Sequence, residues 1–205
     1  RLLRDPGEQV QAQAVASYAA LCSEEQFHDD VVPLTDNGTQ SLLRAAIEGA
    51  RRFDSPRTHH FLETRFRVGP NAMRLHVLGT LEALANDATL PLLTEALSSK
   101  HIQVSTRAAE VLKNLAGAGK VNLARTLMWL LRSRDVNVRR MAVDLAKRVG
   151  DPTGELWPSL LRFLRDEDWW VRERVTDALV EMAGAQLTRF IVGYLGDASD
   201  IVRRY

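Results

Sequence analysis

The chain has 205 residues, a single cysteine and nearly balanced charge, Lys+Arg 27 against Asp+Glu 26, for a net charge of +1. These figures exclude an internal disulfide framework and give no global electrostatic case for a nucleic-acid or membrane-surface partner. No apolar run approaches the roughly 18 residues that a membrane span needs.

Taken in chain order, Asp5-Pro-Gly-Glu-Gln-Val10 reads as a turn into a helix reaching about Leu21, with Asp5 able to cap and Glu8 suited to the positive end of the dipole. A partner segment from Glu24 to Val32 stops at Pro33, and Thr35-Asp-Asn-Gly38 forms a turn. Gln40 to Phe53 is helical, with Leu42, Leu43, Ala46, Ile47 and Ala50 at helical spacing. Asp54-Ser-Pro56 breaks it, Arg57 to Phe66 forms the next helix, and Gly69-Pro70 turns the chain. Asn71 to Ala85 follows, then Thr89 to Leu97 with Pro91 in its opening turn, and Ile102 to Ala116. Val121 to Arg132 pairs with Asn137 to Val149. Glu155 to Leu164 pairs with Trp169 to Met182. Gln186 to Leu195 begins a last pair, and Gly196 to Tyr205 opens a repeat whose second helix is missing.

The second helices repeat. Their anchors are Val10, Leu43, Met73, Val104, Val138, Val171 and Val202, at intervals of 33, 30, 31, 34, 33 and 31 residues. A period in the low thirties holding two helices and a turn is the signature of an α-solenoid. The expected organisation is one array over residues 1–205, about six helix pairs with an incomplete C-terminal repeat. Because the chain opens without Met and closes in mid-pattern, it reads as a segment of a longer polypeptide.

At these anchors the chain resembles HEAT repeats, in particular the bacterial subtype shared with phycobilisome-lyase-like proteins. The second helix of that subtype opens with Asp-Pro-x-x-x-Val-Arg. Asp5-Pro6 before Val10, Asp166 before Val171-Arg172, and Asp197 before Val202-Arg203 match best. Ser133 and Ser99 stand where Asp is expected, Gly38 and Val68 replace it earlier, and Ser105 replaces the Arg. The resemblance implies an all-α fold, a right-handed α-α superhelix of the HEAT-like solenoid type, with second helices on the concave face. It further implies that Asp166, Asp197, Arg139, Arg172 and Arg203 form a polar ladder between repeats. Asp166 itself reads as a helix cap worth about 1 kcal/mol.

Catalytic and metal motifs are not found. The histidines, His28, His59, His60, His76 and His101, include no i, i+4 pair for a metal, and His28-Asp29-Asp30 reads as an isolated polar helix start. There is no phosphate-binding glycine loop and no G-x-S-x-G elbow. Cys22, within Tyr18-Ala-Ala-Leu-Cys22, reads as a small buried hydrophobe and fits a reducing, cytoplasmic compartment. No cofactor is expected. Trp169-Trp170 with Arg165, Arg172 and Arg174, and with Trp129 and Trp157 nearby, resembles the tryptophan and arginine set of HEAT-like alkylpurine DNA glycosylases. Their catalytic Asp element is not reproduced, and tryptophans packed between repeats account for the same residues.

If Val104, Ala108, Val111, Leu112 and Leu115 face the core, Arg107, Glu110, Lys113 and Asn114 are left outward. The next second helix leaves Arg140, Asp144, Lys147 and Arg148, and the one after leaves Glu173, Arg174, Asp177 and Glu181. Stacked, these make acidic and basic rows, with Arg51 and Arg52 extending the basic one. The expected function is a non-catalytic scaffold that binds a protein partner along the concave face through Arg107, Glu110, Lys113, Arg140, Asp144, Lys147, Arg174 and Asp177. The alternatives are a DNA-binding glycosylase relative, against which the near-neutral charge speaks, and a bilin lyase-related subunit, for which Cys22 alone is thin support.

Overall fold

The computed structural model describes residues 2–121, 123–149 and 156–183. All regular structure among these residues is helical. The α-helices are α1 (Glu8–Leu21), α2 (Glu24–Gln26), α3 (Gln40–Gly49), α4 (Pro56–Val68), α5 (Asn71–Leu84), α6 (Leu90–Leu97), α7 (Ile102–Gly117), α8 (Leu123–Leu130), α9 (Val136–Val149), α10 (Trp157–Leu160) and α11 (Trp169–Ala183). The repeat-ending Gly150-Asp-Pro152 and the expected elements from Gln186 onward, with Asp197, Val202 and Arg203, lie outside the described residues. The chain forms two compact units, Arg1–Val111 and Leu112–Tyr205.

In the first unit α1 packs on α3, α3 on α5, and α4 on α5. Helix starts are set by side chains that accept from orphan amides: Ser23 in a reciprocal capping box with Gln26, Thr39 for Leu42, and Ser55 for Thr58. Phe27, Val31, Leu42, Ile47, Leu62, Val77 and Leu78 are wholly buried. The anchors Met73 and Val104 are buried as the periodicity requires, and Leu43 is half-buried. Val10 is not: it is 47% exposed, because α1 turns Val15 and Ala19 inward instead.

The crossing of α1 and α3 is close. A Cβ on Gly49 would stand 2.5 Å from the Ala19 Cβ, so only glycine lets the two helices meet here. Arg52 donates to the Ala19 carbonyl at the end of α1 and lies over the Phe53 ring. It therefore closes a helix end and does not extend a basic row.

Residues 24–36 pack as a helical segment in which one turn of α2 runs into a π turn, Phe27–Val31, and a 3-10 turn, Val32–Asp36. His28 sits inside it, 5% exposed, and is not the isolated polar start that the sequence suggests. The π turn swings the imidazole inward. Its Nε2 lies 3.0 Å from Thr58 Oγ1, and that hydroxyl donates in turn to Glu24 Oε1 at 3.2 Å. Ser55 Oγ donates to the same carboxylate oxygen. Thr58 is wholly buried and spends its proton on Glu24, so His28 donates to it as the neutral Nε2–H tautomer.

In the second unit α8 packs on α9, α10 and the 3-10 turn Leu161–Arg165 pack on α11, and α9 packs on α11. This is the helix-pair stacking of an α-solenoid: second helix against second helix, each covered by its own first helix. Leu127, Leu130, Leu131, Val138, Val143, Leu160, Leu164, Val171 and Val175 make the core. Trp157 is buried with them. Trp129 and Trp169 are 65% and 56% exposed, so two of the four tryptophans do not pack between repeats.

Gly49→Ala should lower stability by about 2 kcal/mol, since α1 and α3 must separate to admit the methyl; thermal melts followed by helix ellipticity will show it. Burial, first, and then Arg57 hold the His28 imidazole below its ordinary value of 6.5, with Glu24 and Asp29 opposing. The unfolded chain therefore binds the extra proton first, and stability falls as pH drops through 6.5 toward the lower folded value. Denaturant melts across that window should lose this part of the pH slope in His28→Gln, which keeps a donor for Thr58 but does not titrate.

Candidate functional site

The outward residues of the second helices fall into a small set on the first unit and a larger one on the second. On the first, Arg107 Nη2 pairs with Glu82 on α5 at 2.5 Å and Nη1 with Glu110 at 3.3 Å. Lys113 and Asn114, further along α7 and already within the second unit, are exposed.

On the second unit the charges interlock. Arg174 lies 4.0 Å from Asp144 on the preceding second helix and 3.6 Å from Asp177 on its own. Lys147 reaches Asp177 at 3.9 Å and Glu181 at 2.9 Å. Asp144, Arg174, Asp177, Lys147 and Glu181 thus form one chain of alternating sign that ties α9 to α11. Each exposed link contributes well under about 1 kcal/mol. Arg140 is drawn out of the row: it makes a two-pronged contact with Asp168, at 3.0 and 2.6 Å.

Beside that row runs the ladder between repeats. Arg139, 6% exposed, donates to both Asp166 oxygens at 2.9 and 3.0 Å, to Glu167 at 3.0 Å, and to the Ser133 carbonyl at 3.0 Å. One guanidinium thereby holds its own turn and the next. Arg172 Nη1 repeats the backbone half of this contact, donating to the Asp166 and Glu167 carbonyls at 2.7 and 3.1 Å. Arg74 in the first unit does the same to the Phe66 and Gly69 carbonyls, at 3.1 and 3.2 Å. Where Ser105 replaces the arginine, its hydroxyl turns back to the Ile102 carbonyl.

The cap of α11 is Asp168 and not Asp166. Asp168 Oδ1 accepts from the Val171 amide at 3.0 Å, whereas Asp166 Oδ1 accepts from the Asp168 amide at 2.9 Å and shapes the turn before the helix. One residue separates them, and the arginines arriving from α9 assign the roles. Arg140, hydrogen-bonded to it, holds the Asp168 carboxyl below the usual carboxylate range. The hydrogen bond to Asp166 pushes the Arg139 guanidinium further up. Trp170 completes the group, with Arg140 and Arg174 guanidiniums 5.6 and 4.9 Å from its ring centroid.

Cys22 is buried, and burial pushes its thiol up. Among the described residues, no three His, Cys, Asp or Glu side chains are gathered as metal ligands, and no helix is long and apolar enough to cross a membrane. An open apolar hollow of about 990 Å³ lies along α1, lined by Leu2, Leu3, Val10, Ala14 and Leu21 among others.

A family model of HEAT repeats matches residues 124–205, less than half of the chain and within the unit that holds the Arg139–Asp166 contact. The match is to HEAT repeats in general and does not single out the phycobilisome-lyase subtype. None of the curated proteins matches the chain. Among solved structures, a designed armadillo repeat protein is 15% identical over 88% of this chain and 97% of its own, with a TM-score of 0.43. Two engineered proteins are 17% and 16% identical, each covering 99% of this chain, over 64% and 90% of their own lengths, with TM-scores of 0.42 and 0.36.

Asp166→Ala should cost about 3 kcal/mol, more than a lost cap, because it leaves the buried Arg139 charge with only the exposed Glu167 carboxylate in place of its two-pronged Asp166 contact. Urea unfolding checks the value, and a loss near the 1 kcal/mol of a cap would show that water reaches Arg139 instead.

Proposed function

We propose that residues 1–205 are a single array of about six helix pairs serving as a non-catalytic protein-interaction module in a bacterial cytoplasm. Its binding side is the second-helix face, through Arg107 and Glu110 on one unit and Lys113, Arg140, Asp144, Lys147, Arg174 and Asp177 on the other. The observation that supports this reading is the alternating ion-pair chain from Asp144 to Glu181. Charges held in mutual pairs on helices are ordered before a partner arrives, so docking immobilises fewer free side chains. A partner of complementary charge order is then steered and set in register. Such a module works by shape and charge and needs no chemistry of its own.

The two alternatives lose support at their own residues. A glycosylase-like reading needs a free carboxylate and a stacking aromatic, but Asp168 is held by Arg140 and the Val171 amide, and Trp170 lies under two guanidiniums. A bilin-lyase reading needs an accessible thiol, and Cys22 is 7% exposed.

The test is capture from a nuclease-treated bacterial lysate at moderate salt, comparing the immobilised chain with a Lys147→Glu/Arg174→Glu variant. The reading expects a specific protein whose recovery drops about tenfold with the variant, while its melting temperature stays within a few degrees. Equal recovery by both would remove the second-helix face from binding.

A further inference from the structure

The first helices of the second unit carry a different charge pattern from the second helices. Residues 123–134 and 156–165 contain five arginines, Arg125, Arg132, Arg134, Arg162 and Arg165, and no acidic residue. All five are exposed. The two segments are also in register with the repeat. Leu127 and Leu131 are buried, as are Leu160 and Leu164, each 33 positions on. The exposed residues follow the same offset: Trp129 corresponds to Arg162, and Arg132 to Arg165. Repeat symmetry therefore puts Trp129, Arg132, Arg162 and Arg165 on the same solvent face of neighbouring first helices.

Unlike Arg107, Arg139, Arg140, Lys147 and Arg174, the side chains of Arg132, Arg134 and Arg162 have no carboxylate within ion-pair reach among the described residues. Trp129, on the same first-helix segment as Arg132, is a large apolar ring 65% exposed to water. Tryptophan and arginine together are the side chains that carry most binding energy at protein interfaces.

We infer that the Trp129, Arg132 and Arg162 face of the second unit docks an acidic protein segment that carries an apolar side chain. Carboxylates would pair with the uncompensated guanidiniums, and the apolar side chain would cover the indole. A nucleic-acid backbone fits less well. Asp135 and Glu167 stand exposed at the turns that end these two first-helix segments, Glu167 with its side chain 84% exposed, and would repel a polyanion running past the patch. A short peptide ends before reaching them. The inference shares with the proposed function only the class of partner and uses a different face.

The test is fluorescence anisotropy of the full chain with a labelled peptide of alternating Glu and Leu, a Gln-for-Glu control peptide, and an oligo(dT) of equal charge. The acidic peptide should bind, the Gln peptide should not, and oligo(dT) should bind more weakly. Arg132→Glu/Arg162→Glu and Trp129→Ala should each weaken peptide binding by about tenfold, and Lys147→Glu should leave it unchanged. All these positions but Lys147 are exposed and, among the described residues, without an ion-pair partner, so melting curves should match the parent. Absence of peptide binding, binding that survives both first-helix variants, binding lost through Lys147→Glu, or oligo(dT) bound at least as tightly as the peptide would each overturn the inference. Because second-helix and first-helix variants are separate, failure here and failure of the proposed function are distinguishable.

Discussion

The second unit depends on satisfying one buried guanidinium. Arg139 is taken almost wholly out of water, a step that costs several kcal/mol unless its donors are paired. Its acceptors come from two turns, the Ser133 carbonyl on one side and Asp166 and Glu167 on the other. The turn before α11 must therefore lie within hydrogen-bond reach of the turn before α9. That condition sets the register of α11 on α9. The pairing of Arg140 with Asp168, of Arg174 with Asp144 and of Lys147 with Asp177 and Glu181 follows from it. The surface charge lattice is thus a consequence of a buried clamp, and its weak exposed pairs do not have to hold the helices together.

The first unit solves the same stacking problem with less charge. Arg74 keeps the backbone half of the clamp, closing the end of α4. Between its second helices steric and neutral contacts, Gly49 against Ala19 and the Thr80 hydroxyl donating to the Ile47 carbonyl at 3.0 Å, stand beside the Arg107–Glu82 pair that links α7 to α5. Glu24, Ser55, Thr58 and His28 add a buried polar network between the first-helix segment and α4. Polar networks of this kind stabilise only when every member is satisfied, which ties this unit to the protonation of His28 in a way the second unit is not.

The apolar periodicity was legible because it is local. Val104, Ala108, Val111, Leu112 and Leu115 lie on one helical face and are all buried. Cys22 and the turn positions of Pro56 and Pro91 follow from equally short-range rules. What failed depends on distant residues. Asp166 and Asp168 are both able to cap, and only the arrival of Arg139 and Arg140, 27 and 28 residues earlier, separates buried partner from cap. Trp169 and Trp170 are adjacent, so a helix sends their rings in different directions, and no pattern says which ring finds the guanidiniums. The π turn that buries His28 inserts one residue into a helical count and so defeats a periodicity of 3.6. The exclusively basic charge of residues 123–134 and 156–165 is equally local and legible in the sequence.

A net charge of +1 describes the sum and not the distribution. On the second helices acid and base alternate at distances of about one ion pair, so their fields cancel within a few ångströms. Arg132, Arg134 and Arg162 face solvent without an ion-pair partner among the described residues, and at physiological salt a charge is felt out to about 8 Å. A ligand approaching the first-helix side therefore meets a positive surface even though the molecule is neutral as a whole. One residue type thus has two roles, set by position in the repeat: immediately after the second-helix anchor, as Arg74, Arg139 and Arg172, it is scaffold, and on the solvent face of a first helix, as Arg132 and Arg162, it is left free for recognition.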